Sequence, residues 1–208
     1  MAKRTKLFLL FLGAYVIYGL VMAYYLYIGT DNSLPKALEG SAADPRLFMT
    51  EQEQLLSTDY SRLRNLLFFL AIPYDWIIYL FVLIFGISIY FRRLSENVIR
   101  FFFLQMALYV FLLTLMSSVL SFPLSLVSRQ VSIMYGISTQ SFQSWMRDYT
   151  IDFWIGWLMM TLMVWVIYSF MKRAKKRWWF YVWLLTVPFT VFLMFIKPVV
   201  IDPLYNDF

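Results

Sequence analysis

The order of apolar and polar residues divides the chain into five long apolar stretches separated by polar or charged segments. Each stretch is close to the length of about 20 residues that an α-helix needs to cross the hydrocarbon core of a bilayer. We therefore predict an all-α fold, a polytopic membrane helix bundle of about five transmembrane helices with amphipathic interfacial helices, built as a single membrane domain over residues 1–208. The predicted crossings are residues 7–28, 72–91, 101–122, 153–171 and 178–196.

The longest polar region lies between the first two crossings, and residues 30–70 predict a polar helical loop. Asp44 followed by Pro45 is typical of a helix N-cap. Thr50 with Glu53 fits a capping box, which marks the start of a second helix. Leucines recur at helical spacing after it, so we expect an amphipathic helix lying against the membrane or the bundle.

The region between the third and fourth crossings is mixed in character, and residues 124–150 predict an interfacial segment. The third crossing is expected to end at Pro123. Ser138 is predicted to cap a helix with apolar residues at helical spacing, which leads into the fourth crossing. The six residues 172–177 then turn the chain, so the fifth crossing should run antiparallel beside the fourth.

The composition supports a lipid environment, since 62% of the 208 residues are apolar, 21% are aromatic and only 14% are charged. A soluble domain carries roughly a quarter charged residues and cannot cover this much apolar surface. The bilayer is therefore the expected partner. The net charge of +6 does not indicate nucleic acid, because the basic residues form short runs at the ends of apolar stretches.

The distribution of these basic residues predicts an orientation. The N-terminal segment holds three Lys/Arg, residues 92–100 hold three and residues 172–177 hold five, which is 11 of the 18 in the chain on one side. The positive-inside rule places that side in the cytoplasm. We predict a multi-pass integral membrane protein with a cytoplasmic N-terminus.

The residues available for chemistry are few, since the chain has no histidine and no cysteine. Asp148 and Asp152 share a helix face, but a metal there would need further oxygen ligands from elsewhere. No phosphate loop or dinucleotide motif is present. We predict no catalytic, cofactor-binding or metal residue, and the ionisable groups near helix ends are interpreted as interfacial anchors and local ion pairs.

Several segments together resemble one family. Residues 40–49 (GSAADPRLFM), 60–65 (YSRLRN), 73–76 (PYDW), 122–126 (FPLSL), 135–140 (YGISTQ), 145–148 (WMRD) and 201–208 (IDPLYNDF) occur in this order. In order and spacing they are similar to the N-terminal membrane domain of bacterial relatives of the CAAX prenyl protease, an integral-membrane zinc metallopeptidase. The last segment resembles the family's I-x-P-L-F-N-x-F stretch.

The resemblance implies about seven helices around a water-filled chamber in the full-length family, with zinc held by an H-E-x-x-H helix and a downstream Glu. That motif would follow the last resembling segment, beyond these 208 residues. It also implies a bacterial cytoplasmic membrane, although eukaryotic members of the family have the opposite orientation. By analogy the chamber or gate residues nearest the zinc site are Tyr135, Gly136, Ser138, Gln140, Asp148, Asp202 and Asn206.

Three hypotheses follow. The first is the non-catalytic membrane half of a CAAX-protease-like zinc metalloendopeptidase, as a fragment, a split-gene product or a remnant. It would form the chamber wall for peptide or membrane-protein substrates, and its partner would be a separate or missing catalytic zinc domain. The second is a stand-alone membrane scaffold or binding protein without proteolysis. The third, a small transporter or channel subunit, ranks last, because the crossings show no clear broken helices or midplane charges.

Overall fold

A computed structural model describes residues 2–29, 34, 36–42 and 44–205. In this part of the chain five helices are long and apolar enough to cross a membrane. The predicted all-α, multi-pass membrane architecture is therefore confirmed. The helices are α1 (Ala2–Tyr24, extended by a π-helical turn at Tyr25–Gly29), α2 (Glu51–Ile84), α3 (Ile87–Val98), α4 (Phe102–Met134), α5 (Phe142–Arg173), α6 (Trp178–Ile196, extended by a π-helical turn at Lys197–Ile201) and α7 (Asp202–Tyr205).

The chain divides into two compact units, which are Met1–Ile87 with Val119–Thr139 and Ser88–Ser118 with Gln140–Phe208. In the first unit the buried apolar residues include Ile78 and Val82 of α2. In the second they include Met106 and Val110 of α4. The single membrane domain over residues 1–208 stays a prediction.

Most large apolar side chains lie outside these small cores. Leu20 of α1 is 66% exposed, Trp183 of α6 is 63% exposed and Met194 of α6 is 71% exposed. In water, apolar surface of this extent would cause aggregation. In a bilayer the same side chains contact lipid tails, and their exposure is what a multi-pass membrane protein requires.

The second crossing differs from its prediction. Instead of a polar helical loop over 30–70 and a separate crossing over 72–91, one helix runs through Pro73 from Glu51 to Ile84. Proline has no N–H to donate to the carbonyl four residues earlier, which is that of Phe69. Tyr18 of α1 donates to the Phe69 carbonyl at 3.3 Å, and Tyr15 donates to the next carbonyl, of Leu70, at 3.2 Å. Tyr18 of α1 therefore supplies a donor to the one carbonyl of α2 that Pro73 leaves without its helical partner.

The predicted end of this crossing at residue 91 is also wrong. The helix stops at Ile84 and a new helix begins at Ile87. Gly86 between them has a φ of +74°, in the left-handed region that favours glycine because it has no Cβ. The apolar run therefore contains a helix end that hydrophobicity alone does not mark.

The predicted interfacial segment over 124–150 does not form a separate element. Its first part belongs to α4, which passes through Pro123 and ends at Met134, and its last part belongs to α5. Near the proline, Tyr74 of α2 donates to the carbonyl of Leu120 at 2.8 Å. Proline is tolerated within membrane helices where neighbouring side chains satisfy the backbone groups that it disturbs.

Both cap predictions in the loop before α2 are confirmed. Asp44 caps a short 3₁₀ turn that begins at Pro45, and Thr50 with Glu53 forms a complete capping box. The Asp44 carboxylate accepts from the Gly40 N–H at 2.8 Å and from the Arg46 N–H at 3.0 Å. These two backbone donors lower the pKa of Asp44 below its usual range. The Asp44 side chain thus joins the backbone at Gly40 to the backbone at Arg46.

This pKa shift predicts how the loop responds to acid. A lowered folded-state pKa means that the stabilisation is complete above the unfolded value of about 3.9 and is lost as the pH falls through the folded value. We expect hydrogen-exchange protection of the Gly40 and Arg46 amides to persist at pH 5, to begin to fall below about pH 3.9 and to be lost only once the pH is below the lowered pKa of Asp44 in the folded state. Asp44→Ala should lack that protection at every pH. Glu39→Gln, in the same loop, is the control. It removes only an exposed ion pair with Arg46, which contributes little to stability, and it should behave like the wild type.

Candidate functional site

One cluster of polar residues in the second unit lies around the start of α5. This helix begins at Phe142, and the Ser141 hydroxyl caps it by accepting from the Ser144 N–H at 3.1 Å. Ser138, the predicted cap, is not the cap. Its own N–H donates to the Ser132 carbonyl at 3.1 Å, because it still belongs to the turn that ends α4.

One face of α5 carries the polar side chains. Ser144, Asp148 and Asp152 follow each other at intervals of four residues and therefore lie on the same face. The Gln140 amide donates to the Asp148 carboxylate at 2.6 Å and lies 3.3 Å from the Ser144 hydroxyl. Arg147 Nε lies 3.5 Å from the other oxygen of Asp148. Consecutive residues on a helix point about 100° apart, so the sequence alone did not predict that Arg147 and Asp148 would be in contact.

The C-terminal segment docks on this face. Arg147 donates through Nη2 to the backbone carbonyl of Tyr205 at 2.8 Å. The Tyr205 hydroxyl donates to Asp152. Both the backbone and the side chain of one residue of α7 are thus held by α5. We call Gln140, Ser144, Arg147, Asp148, Asp152 and Tyr205 the α5 polar cluster.

Two other predicted gate residues, Tyr135 and Gly136, lie after α4 in the first unit. Gly136 has a φ of +69°, its N–H donates to the Ile133 carbonyl at 3.0 Å, and the next N–H donates to the Ser132 carbonyl at 2.9 Å. This is a Schellman motif, the common way to end a helix at glycine. The ring of Tyr135 lies 5.5 Å from that of Tyr60. Turn formation and ring packing describe what both residues do within this unit.

The structure thus brings together part of the predicted set. Gln140 and Asp148 are in contact, and Asp202 is the first residue of α7, which docks beside them. Asn206 lies outside the described residues. Sequence reasoning missed Tyr205 as a site residue, although it belongs to the IDPLYNDF segment that carries the family resemblance. The carboxylate that it contacts, Asp152, is 53 residues away in sequence.

The α5 polar cluster does not fit a zinc site. Catalytic zinc is held by three protein ligands, typically imidazoles with one carboxylate or thiolate. Within the described residues no group of three His, Cys, Asp or Glu side chains could hold a metal ion. Asp148 accepts from Gln140 and forms an ion pair with Arg147, and Asp152 accepts from Tyr205. The arrangement binds one segment of the chain to another.

Comparison with known proteins identifies a family. Residues 23–207 match the family described as CAAX prenyl protease N-terminal, five membrane helices. A relative from Bacillus subtilis (strain 168), the uncharacterized metalloprotease YhfN, is 45% identical over 195 residues. The match covers 94% of this chain but 46% of the relative, so the chain spans about half the length of that protein. No solved structure matches significantly.

Proposed function

The chain belongs to the family of CAAX prenyl protease N-terminal membrane domains, and from this premise we propose that it forms the non-catalytic membrane part of a zinc metalloendopeptidase. The proposal rests on the family match taken together with the absence of histidine. The family match covers residues 23–207, yet the 208 residues contain no histidine.

Hydrolysis at zinc needs ligands that hold the metal and leave a position for water. In the proposed enzyme these ligands come from residues other than the 208 of this chain, in a longer polypeptide or in a second chain. This agrees with the relative, of which slightly more than half lies outside the match. Zinc would therefore be the cofactor of the assembled enzyme, and this chain has no histidine or cysteine to hold it.

The role left for this chain is to form the wall of a chamber that admits peptide or membrane-protein substrates. The family match over residues 23–207 supports this role, because the full-length members of the family that the sequence resembles surround such a chamber with their membrane helices. The protein would lie in a bacterial cytoplasmic membrane. Its N-terminus would be cytoplasmic, as the distribution of basic residues predicts.

The α5 polar cluster supports a second part of the role. Arg147 and Asp152 hold Tyr205 at a defined place on α5. In a longer polypeptide, the residues that follow Tyr205 would therefore begin close to α5. The cluster would thereby position the zinc-binding part relative to the membrane helices, which is the kind of orientation that catalysis requires.

The experiment that tests the function compares the chain alone with a reconstituted pair. The purified chain should cleave no peptide. Co-expression with the part of the Bacillus subtilis relative that lies outside the match should yield peptidase activity that a zinc chelator abolishes. That part expressed without this chain is the control, and it should be at least about a hundredfold less active.

Two results would count against the proposal. Chelator-sensitive peptide hydrolysis by the purified chain alone would show that it carries a zinc site of its own. A folded, co-purifying pair without any activity would favour the membrane scaffold without proteolysis.

A further inference from the structure

A cavity of about 470 Å³ lies between α3, α4 and α5, within the second unit. Its volume falls in the range of small-ligand sites, which is about 300–1,000 Å³. One part of its lining is apolar and is formed by Phe102, Met106 and Val164. The other part is polar and comes from α3 and the facing side of α4. A molecule that fills it must therefore be amphiphilic.

The polar part offers hydrogen-bond donors. Ser88 and Tyr109 share one hydrogen bond of 2.7 Å, which uses one of their two hydroxyl hydrogens and leaves the other free to donate. Gln105 donates one amide hydrogen to the Ile99 carbonyl at 2.7 Å and has a second one. Arg92 also lines this part and carries five N–H donors. A group made only of acceptors, such as a phosphodiester, suits this surface.

The charges around the cavity favour an anion. Arg92 lies 3.7 Å from Glu96, and Lys172 lies 3.2 Å from the ring centre of Phe102. Residues 92–100 and 172–177 contain eight Lys/Arg and one acid, Glu96. The cavity thus combines an apolar wall, free donors and an excess of positive charge at the basic ends of the helices. Such pockets between membrane helices suit lipid headgroups.

We infer that this cavity binds an anionic glycerophospholipid, with the phosphodiester near Arg92 and the start of the acyl chains against Phe102 and Met106. The inference does not depend on the peptidase proposal, since none of these residues belongs to the α5 polar cluster. It assigns a lipid partner to residues that the family resemblance leaves without a role.

The test measures lipid retained by the detergent-purified chain in native mass spectrometry. Phosphatidylglycerol and phosphatidylcholine with identical acyl chains are compared. We expect phosphatidylglycerol to be retained about fivefold more, because one interfacial cation has an effect of this order on an anionic lipid. Equal retention of the two lipids would overturn the inference. Competition by millimolar inorganic phosphate, but not by lipid, would assign the cavity to a free anion and would also overturn it.

Three variants locate the effect. Arg92→Gln should reduce phosphatidylglycerol retention to the level of phosphatidylcholine. Glu96→Gln should raise it about fivefold, because it removes the acid that competes for Arg92. Arg93→Gln removes the same charge from the next residue, which does not line the cavity, and should change retention little. An Arg93→Gln effect as large as that of Arg92→Gln, or a loss in Glu96→Gln, would contradict a specific site.

Discussion

Replacing Gly19 with leucine is expected to separate α1 from α2 and to lower the free energy of unfolding by about 3 kcal/mol. A Cβ at this position would already lie 3.1 Å from Cδ2 of Leu70, closer than an ordinary contact, so the larger leucine side chain must displace Leu70 or the helix. As α1 moves away, Tyr15 and Tyr18 lose the backbone carbonyls to which they donate. The expected loss combines overpacking of about 2 kcal/mol with about 0.5 kcal/mol for each lost hydrogen bond.

The measurement is equilibrium unfolding in mixed detergent micelles. Gly13→Leu is the matched control, since it lies in the same helix and a Cβ there meets nothing within 4 Å. Tyr18→Phe alone should cost about 0.5 kcal/mol but little when added to Gly19→Leu, in which the hydrogen bond is already broken. Equal stability of the Gly19→Leu and Gly13→Leu variants would show that α1 does not pack closely on α2.

Replacing Arg147 with methionine is expected to release α7 from α5 and to lower the activity of the reconstituted enzyme about a hundredfold, as expected for a misplaced reacting group. Among the described residues, only Arg147 donates a hydrogen bond to the backbone carbonyl of Tyr205. Tyr205→Phe removes a different bond between the same elements, the one to Asp152, and should act in the same direction.

Two measurements separate docking from chemistry. Limited proteolysis of the chain alone should cut residues 197–205 faster in both variants than in the wild type. Arg173→Met removes the same charge at the opposite end of α5 and should leave both the cutting rate and the activity unchanged. Wild-type proteolysis with wild-type activity in Arg147→Met would exclude a positioning role for the cluster.

Features that depend on neighbouring residues could be predicted from the sequence. The Asp44 cap and the Thr50–Glu53 capping box are confirmed, because each joins groups only two to four residues apart. The family could also be identified, since the order of its short segments is a property of the sequence.

Helix ends within apolar runs were predicted less well. The break at Gly86 and the continuation of α2 through Pro73 both contradict the predicted boundaries. Hydrophobicity reports whether a segment prefers lipid, and it does not report where the backbone changes direction. The cap at Ser141 rather than Ser138 was missed for a similar reason, since two nearby serines are equally good caps until the end of the preceding helix is known.

The sequence by itself determined a membrane protein of five long apolar helices, its family, and the lack of imidazole or thiolate ligands for zinc. Only the tertiary structure decided which side chains meet. Tyr18 reaches the carbonyl that Pro73 leaves free across 51 residues, and Arg147 reaches Tyr205 across 58. Periodicity describes one helix at a time, whereas these contacts depend on how separate helices pack, so no local pattern in the chain predicts them.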